Sequence, residues 1–478
     1  MKNFSMILKT GISLALCSAA AVASAEDFIV DNVTLIDGTG QPKQTDMSIG
    51  VEQGRITFVT PTASAPQVAG RHIDGAGKFL MPGLMDVHIH LQGARGGDGR
   101  RMVGVERGKK GEAASLLPPE VEYDQETAHE LGVQALASYL YSGVTSVYDA
   151  GNVPSHIMGL RAEERAGDIL SPRIFATGNI VTSANGHGSS MAIKIDDWVE
   201  DRPTLLAYLE EQKPDVVKLT YDEHGWGTRP MIDKFPTELM QQIIYEINLH
   251  GLRTTAHTSS ELRATEAIFA GIDSLAHPVI QGPITEEFAK LMGAKKTPIA
   301  TTLTIGEGYS RLVEQPEFLD EPLYQAALSA EEIATLRDET APQWKERGWT
   351  WWMKVMTPVA QENMRMIDAA GGVVAIATDQ TIGPAVHREM ELMQSAGVPA
   401  ERIIVMATLN GAKHLGKDDE LGSIEPGKFA DMVLLSADPT VDIDNAKQIT
   451  WVMKNGQLID EDRLSLAGGQ RTLRRSER

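Results

Sequence analysis

The sequence predicts an α/β fold in which a (β/α)8 barrel is combined with a small β-sandwich. Eight short apolar segments between residues 84 and 379 alternate with amphipathic, helix-like segments. Strands that are apolar on both faces are typical of a parallel sheet covered by helices, and eight such units in one run are the number that closes a barrel. The segments before and after this run consist of short β-type stretches separated by turns, which indicates a second, smaller β domain.

The apolar runs of the predicted barrel strands are the clearest signal in the sequence. They cover residues 84–90, 144–150, 173–178, 215–220, 252–257, 272–277, 298–303 and 373–379. Two of the segments between them, 126–143 and 236–251, have apolar residues at helical spacing and end in a glycine, which commonly follows the last turn of a helix. The sequence therefore predicts regular strand–helix units over most of residues 81–415.

The connection after the seventh strand, an insertion at about 304–370, is too long for a simple strand–helix unit. It contains four of the seven tryptophans of the chain, namely Trp344, Trp349, Trp351 and Trp352. A long segment on the C-terminal face of a barrel is usually a lid or a wall of the binding site. A helical hairpin packed on the outside of the barrel is the alternative, and the sequence leaves both open.

The two flanks of the barrel are predicted to form one domain. Residues 26–80 and 416–465 both consist of short β-type runs, and we expect them to assemble into a composite β-sandwich with the barrel, 81–415, inserted between them. The end of the chain, 466–478, is basic and polar, so we expect a flexible tail there.

The first 25 residues predict a secreted protein. Residues 1–25 carry two lysines, a short apolar run of small residues and an Ala-Ser-Ala sequence at 23–25, which together are typical of a signal peptide and its cleavage site. The apolar run is too short for a stable membrane-spanning helix. Leu16 before Cys17 argues against a lipoprotein. The expected location is the periplasm, and cleavage would remove the only cysteine.

Charge limits the partners that the protein can have. The formal net charge is −21, and removal of the two lysines of residues 1–25 makes it −23. Such an acidic chain is a poor ligand for nucleic acid or for an anionic membrane. We therefore expect a small-molecule substrate and no membrane association after cleavage, while oligomerisation stays open.

Metal-competent residues lie at or near the ends of five predicted strands. They are His88, His90, Lys218, His257, His277 and Asp379. Since alternate residues of a strand share one face, both histidines of the first strand point the same way. Barrel active sites form at the C-terminal ends of the strands. A single strand histidine can simply be a packed core residue, but six converging residues of these types predict a site for Zn²⁺ or a similar divalent ion.

The segments that contain these residues carry a specific resemblance to a known family. The chain resembles the amidohydrolase superfamily over about residues 28–460, and most closely the branch of imidazolonepropionase-like enzymes and metal-dependent Xaa-Pro dipeptidases. The segments that carry the resemblance are "PGLMDVHIHL" at 82–91, Lys218, "AH" ending at His257, "AHP" beginning at Ala276, "ATD" ending at Asp379, and "GSIEPGKFADMVLL" at 422–435.

The resemblance implies two divalent metal ions, Zn²⁺ being the expected metal. It implies that His88, His90 and Asp379 hold one ion and that His257 and His277 hold the other. Lys218, modified by CO₂ to a carbamate, would bridge the two ions. The alternative is the mononuclear site of some imidazolonepropionases and deaminases, in which Lys218 is an ordinary lysine. Deaminases of this fold usually place a glutamate three residues after the fifth-strand histidine, whereas Glu261 comes four residues after His257.

The implied activity is hydrolysis of an amide bond in a small molecule such as a dipeptide or an N-acyl amino acid. Two metal ions lower the pKa of a water between them, so that hydroxide attacks the carbonyl near neutral pH. Asp379 is the expected catalytic residue, which accepts a proton from the water and passes it to the leaving nitrogen. Lactones, cyclic amides and phosphotriesters are alternative substrates of such a site, and a non-catalytic metal-binding scaffold is the alternative from another class.

Four residues on the loops after the strands are candidate substrate contacts. His187 follows the third strand, Tyr221 and Arg229 follow the fourth, and His387 follows the eighth. An arginine can bind a substrate carboxylate through two parallel hydrogen bonds, which is the role expected of Arg229. The alternative for Arg229 is a solvated or helix-capping position.

Overall fold

The structure is a computed structural model, and it describes residues 27–67, 69–91, 117, 123–224 and 231–469. The predicted signal peptide, 1–25, and most of the predicted tail lie outside the described residues. Within the described ranges, no helix is both long enough and apolar enough to cross a membrane.

The chain begins with five strands of a β domain. They are β1 (Phe28–Leu35), β2 (Gln44–Glu52), β3 (Arg55–Pro61), β4 (Arg71–Asp74) and β5 (Phe79–Pro82). Ten parallel-sheet strands follow. They are β6 (Leu84–Ile89), β7 (Val144–Asp149), β8 (Arg173–Ala176), β9 (Ile180–Thr182), β10 (Ala192–Lys194), β11 (Val216–Thr220), β12 (Arg253–His257), β13 (Ser274–Leu275), β14 (Ile299–Ala300) and β15 (Val374–Ala375). The last three strands are β16 (Met432–Leu435), β17 (Ile449–Lys454) and β18 (Gln457–Leu458).

Fourteen α-helices lie between these strands in the described part of the chain. They are α1 (Gln125–Tyr141), α2 (Pro154–Ala166), α3 (Trp198–Gln212), α4 (Thr237–Leu249), α5 (Glu261–Ala270), α6 (Glu286–Lys295), α7 (Thr304–Glu314), α8 (Pro322–Ala327), α9 (Ala330–Thr335), α10 (Ala341–Lys345), α11 (Gly348–Ala369), α12 (Pro384–Ser395), α13 (Ala400–Ala407) and α14 (Leu409–Leu415). Helices α1 and α4 lie where helical spacing predicts them. Gly143 and Gly251, shortly after them, have positive φ, a conformation that glycine adopts without steric cost.

Strands from both ends of the chain form one mixed sheet. Its order is β18-β17-β16-β5-β1-β2-β3, with β4 beside β1, and β16 from the C-terminal part runs antiparallel to β5 from the N-terminal part. The sheet encloses its own apolar core, in which Val30 and Ile49 from one end of the chain cluster with Leu434 and Met453 from the other. The two flanks of the barrel therefore fold together.

The remaining strands form a parallel barrel. Strands β6 to β8 are paired in sequence order, and a second group runs β10-β9-β11-β12-β13-β14-β15. Backbone hydrogen bonds join the groups on both sides: Asp215 N–H donates to the Ala176 carbonyl at 2.9 Å, and Asp379 N–H donates to the His88 carbonyl at 2.7 Å. The predicted fold class, a (β/α)8 barrel with a β-sandwich, is confirmed.

The last three barrel strands are much shorter than their apolar runs predict. Strands β13, β14 and β15 contain two residues each. Two of the runs reach residues with positive φ, Thr302 at 34° and Asp379 at 53°, which side chains larger than glycine rarely adopt. The apolar run gives no sign of this, since it reports burial and not backbone conformation.

The insertion between β14 and β15 is helical, as its pattern predicts, and it begins next to the C-terminal end of the barrel. Helix α7 starts two residues after Thr302, and the N–H groups of Leu303 and Thr304 donate to the buried carboxyl of Glu389. The ring of Tyr309 in α7 packs against Trp344 at a centroid distance of 4.4 Å. This end of the insertion therefore carries an aromatic cluster on a helix that leaves the barrel beside the predicted site.

Candidate metal centre

The structure brings all six predicted metal-site residues together at the C-terminal end of the barrel. His88 lies near the end of β6, Lys218 lies inside β11, and His257 ends β12. Asp379 and His277 follow β15 and β13 within a few residues. The side chains of His88 and His257 are almost completely buried, with 1% and 2% exposure, while Asp379 keeps 14%. His90, at 21% exposure, and Asp379 are therefore the groups that face the opening.

Ring contacts show how close the imidazoles are. The centroids of His88 and His277 are 4.5 Å apart, and those of His277 and His257 are 4.4 Å apart. His90 lies next to His88 at 5.3 Å. Lys218 Nζ lies 2.9 Å from Nε2 of His88, so the amine belongs to the same cluster.

The distances around Asp379 suit a shared divalent ion. Its Oδ1 lies 3.3 Å from Nε2 of His90 and 3.6 Å from Nε2 of His88. Two ligand atoms that are each about 2.0–2.2 Å from one tetrahedral ion are separated by roughly 3.3–3.6 Å. His88, His277 and Asp379 together offer ligand atoms that all lie within 4.8 Å of one another. The donor set of imidazoles and one carboxylate fits a zinc-type ion.

Hydrogen bonds on the far side of each ring direct Nε2 into the site. Nδ1 of His88 lies 3.0 Å from the Ala276 carbonyl, and Nδ1 of His90 lies 2.7 Å from the Gly151 carbonyl. Since a carbonyl can only accept, both rings carry their proton on Nδ1. Nδ1 of His277 lies 3.0 Å from the hydroxyl of Thr302. Such outer hydrogen bonds fix the tautomer and orientation of metal-binding histidines.

The electrostatics of the cluster favour neutral imidazoles. Burial lowers the pKa of His88 well below its usual range, and the neighbouring Lys218 and His90 lower it further. Burial, with His257 and His88 as neighbours, does the same to the pKa of His277. A neutral imidazole is the form that binds a metal ion, so protons do not compete for these ligands at neutral pH.

Asp86, a buried residue that the sequence analysis missed, holds Asp379 in place. Asp379 has a left-handed backbone conformation, with φ of 53°. The preceding residue, Thr378, donates to Asp86 from its N–H at 3.0 Å and from its hydroxyl at 2.6 Å. Burial raises the pKa of Asp86 to about 8 against the lowering effect of these hydrogen bonds. Strained backbone of this kind is typical of functional sites and persists where the surroundings fix it.

Of the three predicted substrate contacts that lie in the described residues, His187 is the one that borders the cluster. The ring of His187 stacks on His257 with a centroid distance of 4.5 Å and an angle of 16° between the planes. Arg229 lies outside the described residues. His187 therefore lines the site from the loop between β9 and β10.

Tyr221 and His387 are not brought to the site. The hydroxyl of Tyr221 donates to Glu266 at 2.8 Å and lies 2.8 Å from the hydroxyl of Thr237, on the helix side of the sheet. Nε2 of the buried His387 donates to the Ser142 carbonyl at 2.9 Å. Both side chains are committed to packing between elements, so the structure does not support the predicted substrate contacts.

A match to the amidohydrolase family spans residues 79–459 of the chain. The protein is a member of the amidohydrolase family. The match includes every metal-site residue described above, and it confirms the predicted enzyme class, a hydrolase of carbon–nitrogen bonds.

Relatives of this amidohydrolase cover nearly its whole length. An imidazolonepropionase of a Geobacillus species is 23% identical over 86% of this chain and 89% of its own. Among solved structures, a Xaa-Pro dipeptidase with methionine bound in its active site has a TM-score of 0.69 and 22% identity, and it covers 91% of this chain and 100% of its own. The ochratoxinase of A. niger has a TM-score of 0.69 and 18% identity over 91% of this chain and 96% of its own. These likenesses extend the fold assignment to both domains.

Proposed function

We propose that this amidohydrolase is a secreted, binuclear metal enzyme that cleaves the amide bond of a dipeptide or an N-acyl amino acid. The observation that carries the proposal is the convergence of four histidines, Lys218 and Asp379 on one small volume at the open end of the barrel. The signal-peptide features of residues 1–25 support secretion. The name of one structural relative, a Xaa-Pro dipeptidase with bound methionine, supports a substrate that contains an amino acid.

In the proposed centre, His88, His90 and Asp379 hold one divalent ion and His257 and His277 hold the other. Lys218, converted by CO₂ to a carbamate, would replace a buried cation with a carboxylate-like ligand. The burial of Lys218 among the histidines supports this assignment, because an ammonium there would be repelled by bound metal. When bound, the ions polarise the substrate carbonyl and lower the pKa of water.

The residues of the chain supply position and proton transfer. Asp379 is the only predicted ligand with a carboxylate, and it lies at the partly exposed side of the cluster. It accepts a proton from the attacking water and delivers it to the leaving nitrogen as the amide bond breaks. Asp86 and the backbone of His88 keep it in the geometry that this transfer requires.

Two surfaces are positioned to contact the substrate. His187 borders the cluster beside His257. On another side, Gln380 follows Asp379 directly, and Gly308 of α7 approaches its side chain. Tyr309 is the next residue of α7 and belongs to the aromatic cluster of the insertion. In the proposed function, these surfaces contact the apolar or aromatic side chain of an amino-acid substrate.

The test combines metal analysis with a substrate panel. Elemental analysis of the purified protein should find close to two divalent ions per chain. Dipeptides and N-acyl amino acids should be hydrolysed faster than their methyl esters and amides, with lactones and aryl phosphotriesters as comparison substrates. A single tightly held ion would contradict the binuclear centre, and preference for phosphotriesters would contradict the amide substrate.

Hydrolysis of a cyclic amide is the second candidate. It is favoured by the likeness to imidazolonepropionase, which spans most of both chains. The same panel, extended with cyclic amides and lactones, separates the two. A linear amide substrate requires faster turnover of dipeptides than of any ring.

A further inference from the structure

A carboxylate that belongs to none of the predicted ligands lies inside the barrel beside the metal cluster. Asp222 follows β11 at the two-residue spacing that also places Lys218 on the inner face. Its side chain is completely buried. One oxygen, Oδ1, accepts the N–H of His224 at 3.0 Å.

The other oxygen of Asp222 has no hydrogen-bond donor in the part of the chain that the structure describes. A buried carboxylate oxygen without a partner is costly, so such groups are usually paired or bind a metal. Two cations of neighbouring described segments have other partners. Arg263 donates to the adjacent Glu223 at 2.6 and 2.7 Å, and Lys234 lies against Tyr221 on the far side of the sheet.

Oδ2 of Asp222 instead faces Nε2 of His257, at 3.4 Å. This separation lies between the two that Asp379 makes with His90 and His88, 3.3 and 3.6 Å. It falls in the range of roughly 3.3–3.6 Å expected for two ligands of one tetrahedral ion.

We propose that Asp222 is an additional metal ligand, which binds through Oδ2 the ion held by His257 and His277. The inference rests on the proposed binuclear centre. It gives each ion one aspartate, Asp379 on one side of the cluster and Asp222 on the other. It also raises the number of unmodified protein ligands of the second ion from two to three, the number that catalytic zinc sites usually have. The second ion is then retained in part when Lys218 carries no carbamate.

The first test measures metal binding. Asp222→Asn keeps the size of the side chain and the acceptor for His224 but removes the charge. The variant should bind one ion as tightly as the wild type does and the other at least roughly tenfold more weakly, a lower limit taken from the effect of losing an outer-shell partner. Zn²⁺ titration of the metal-depleted protein and elemental analysis after dialysis measure this. Glu223→Gln is the matched control, because its carboxylate is also buried but faces Arg263.

The second test detects the ligand directly and does not depend on activity. The only cysteine of the sequence is Cys17. In the Co²⁺-loaded Asp222→Cys variant, a thiolate bound to the metal produces a near-ultraviolet charge-transfer band that the wild type and Glu223→Cys lack. Circular dichroism of the metal-depleted variants confirms that they are folded.

Several results would overturn the inference. If the wild type binds two ions and Asp222→Asn binds both with unchanged affinity, Asp222 is not a ligand, although the binuclear centre stands. If that variant keeps both ions but has a raised KM only for substrates with a free amino group, Asp222 contacts the substrate instead. If the wild type itself binds a single ion, the proposed binuclear centre fails and this inference fails with it.

Discussion

His414 should make the stability of the protein fall in acid. It lies in α14 with 1% of its surface exposed, and neither ring nitrogen makes a hydrogen bond in the described part of the chain. Burial lowers the pKa of His414 from 6.5 to about 3, and the nearby Arg253 contributes in the same direction. The folded protein therefore holds this imidazole neutral at pH values where the unfolded chain protonates it.

The sign and size of the effect follow from the two pKa values. Between pH 6.5 and about 3 the unfolded chain binds one more proton than the folded protein does. The free energy of unfolding therefore falls as the pH falls through this window, by about 1.4 kcal/mol per pH unit. The contribution of the neutral His414 to the free energy of unfolding is fully present above pH 6.5. The largest possible loss of this contribution, reached near pH 3, is about 5 kcal/mol.

His414→Leu removes the titrating group and replaces it with an apolar side chain. Two neighbours in α14, Ala412 and Leu415, already pack in an apolar cluster. Urea unfolding of wild type and variant at pH 7, 6, 5 and 4 measures the difference. Near pH 7 the change should be small or stabilising, because a buried ring without hydrogen bonds is removed. The variant should then gain about 1.4 kcal/mol on the wild type for each unit below pH 6. His250→Leu, at an exposed histidine that directly follows α4, is the control.

Parallel pH profiles of His414→Leu and the wild type would refute this reasoning. The imidazole would then be protonated in the folded state, and an acceptor for its two N–H groups would have to lie outside the described residues. If the free energy of unfolding of His414→Leu exceeded that of the wild type by the same amount at all pH values, the substitution would act through packing and not through titration.

Three further predictions concern the metal centre. Lys218→Ala should lower both metal content and turnover, and bicarbonate with a short-chain carboxylic acid should restore part of the activity; a fully active variant with one ion would exclude the carbamate bridge. Asp379→Asn should largely retain metal but lose more than the roughly 10²–10⁴-fold in kcat that general acid–base catalysis contributes, and wild-type rates across pH would assign the proton transfer to another residue. Arg229→Met should lower kcat/KM only for substrates with a free carboxylate, as measured against their methyl esters. A methyl ester leaves the arginine of the wild type unpaired, so the wild type should strongly prefer the free carboxylate.

The metal site was predictable because its residues obey two simple rules. Residues two apart on a strand share a face, and barrel sites form where strands end. Together these rules bring His88 and His90 to one point and place Lys218, His257 and Asp379 around it. No distance between strands is needed for this prediction, since a closed barrel brings all the strand ends to one rim.

The alternation of side chains along β11 also explains two outcomes on the loop that follows it. Asp222 was missed by the prediction, and the structure does not support the predicted role of Tyr221. Lys218 and Asp222 are four residues apart and face the inside of the barrel, whereas Tyr221 has the opposite parity and packs toward Glu266. Counting alternation past the end of β11 could therefore have found Asp222. No comparable count was available for His387, because the phase of a helix relative to a barrel depends on how the helix packs.

Backbone conformation was the part that the sequence could not reveal. The runs ending in Thr302 and Asp379 contain mostly apolar and small residues, which predicts long strands. The regular strands instead end at Ala300 and Ala375, and Thr302 and Asp379 beyond them have positive φ. Only the tertiary contacts that hold them, such as those from Thr378 to Asp86, decide that conformation.

Hydrogen bonds of the histidine Nδ1 atoms explain how the ligands can be ordered before any ion binds. Nδ1 of His88 donates to Ala276, after β13, and Nδ1 of His277 lies against Thr302, after β14. Each imidazole is thus oriented by a different segment of the barrel rim, and not by a residue of its own strand. Each of these contacts therefore joins two segments of the rim and also aims Nε2 into the site. A metal ion entering this site needs to order few side chains, so most of its binding energy is available for affinity.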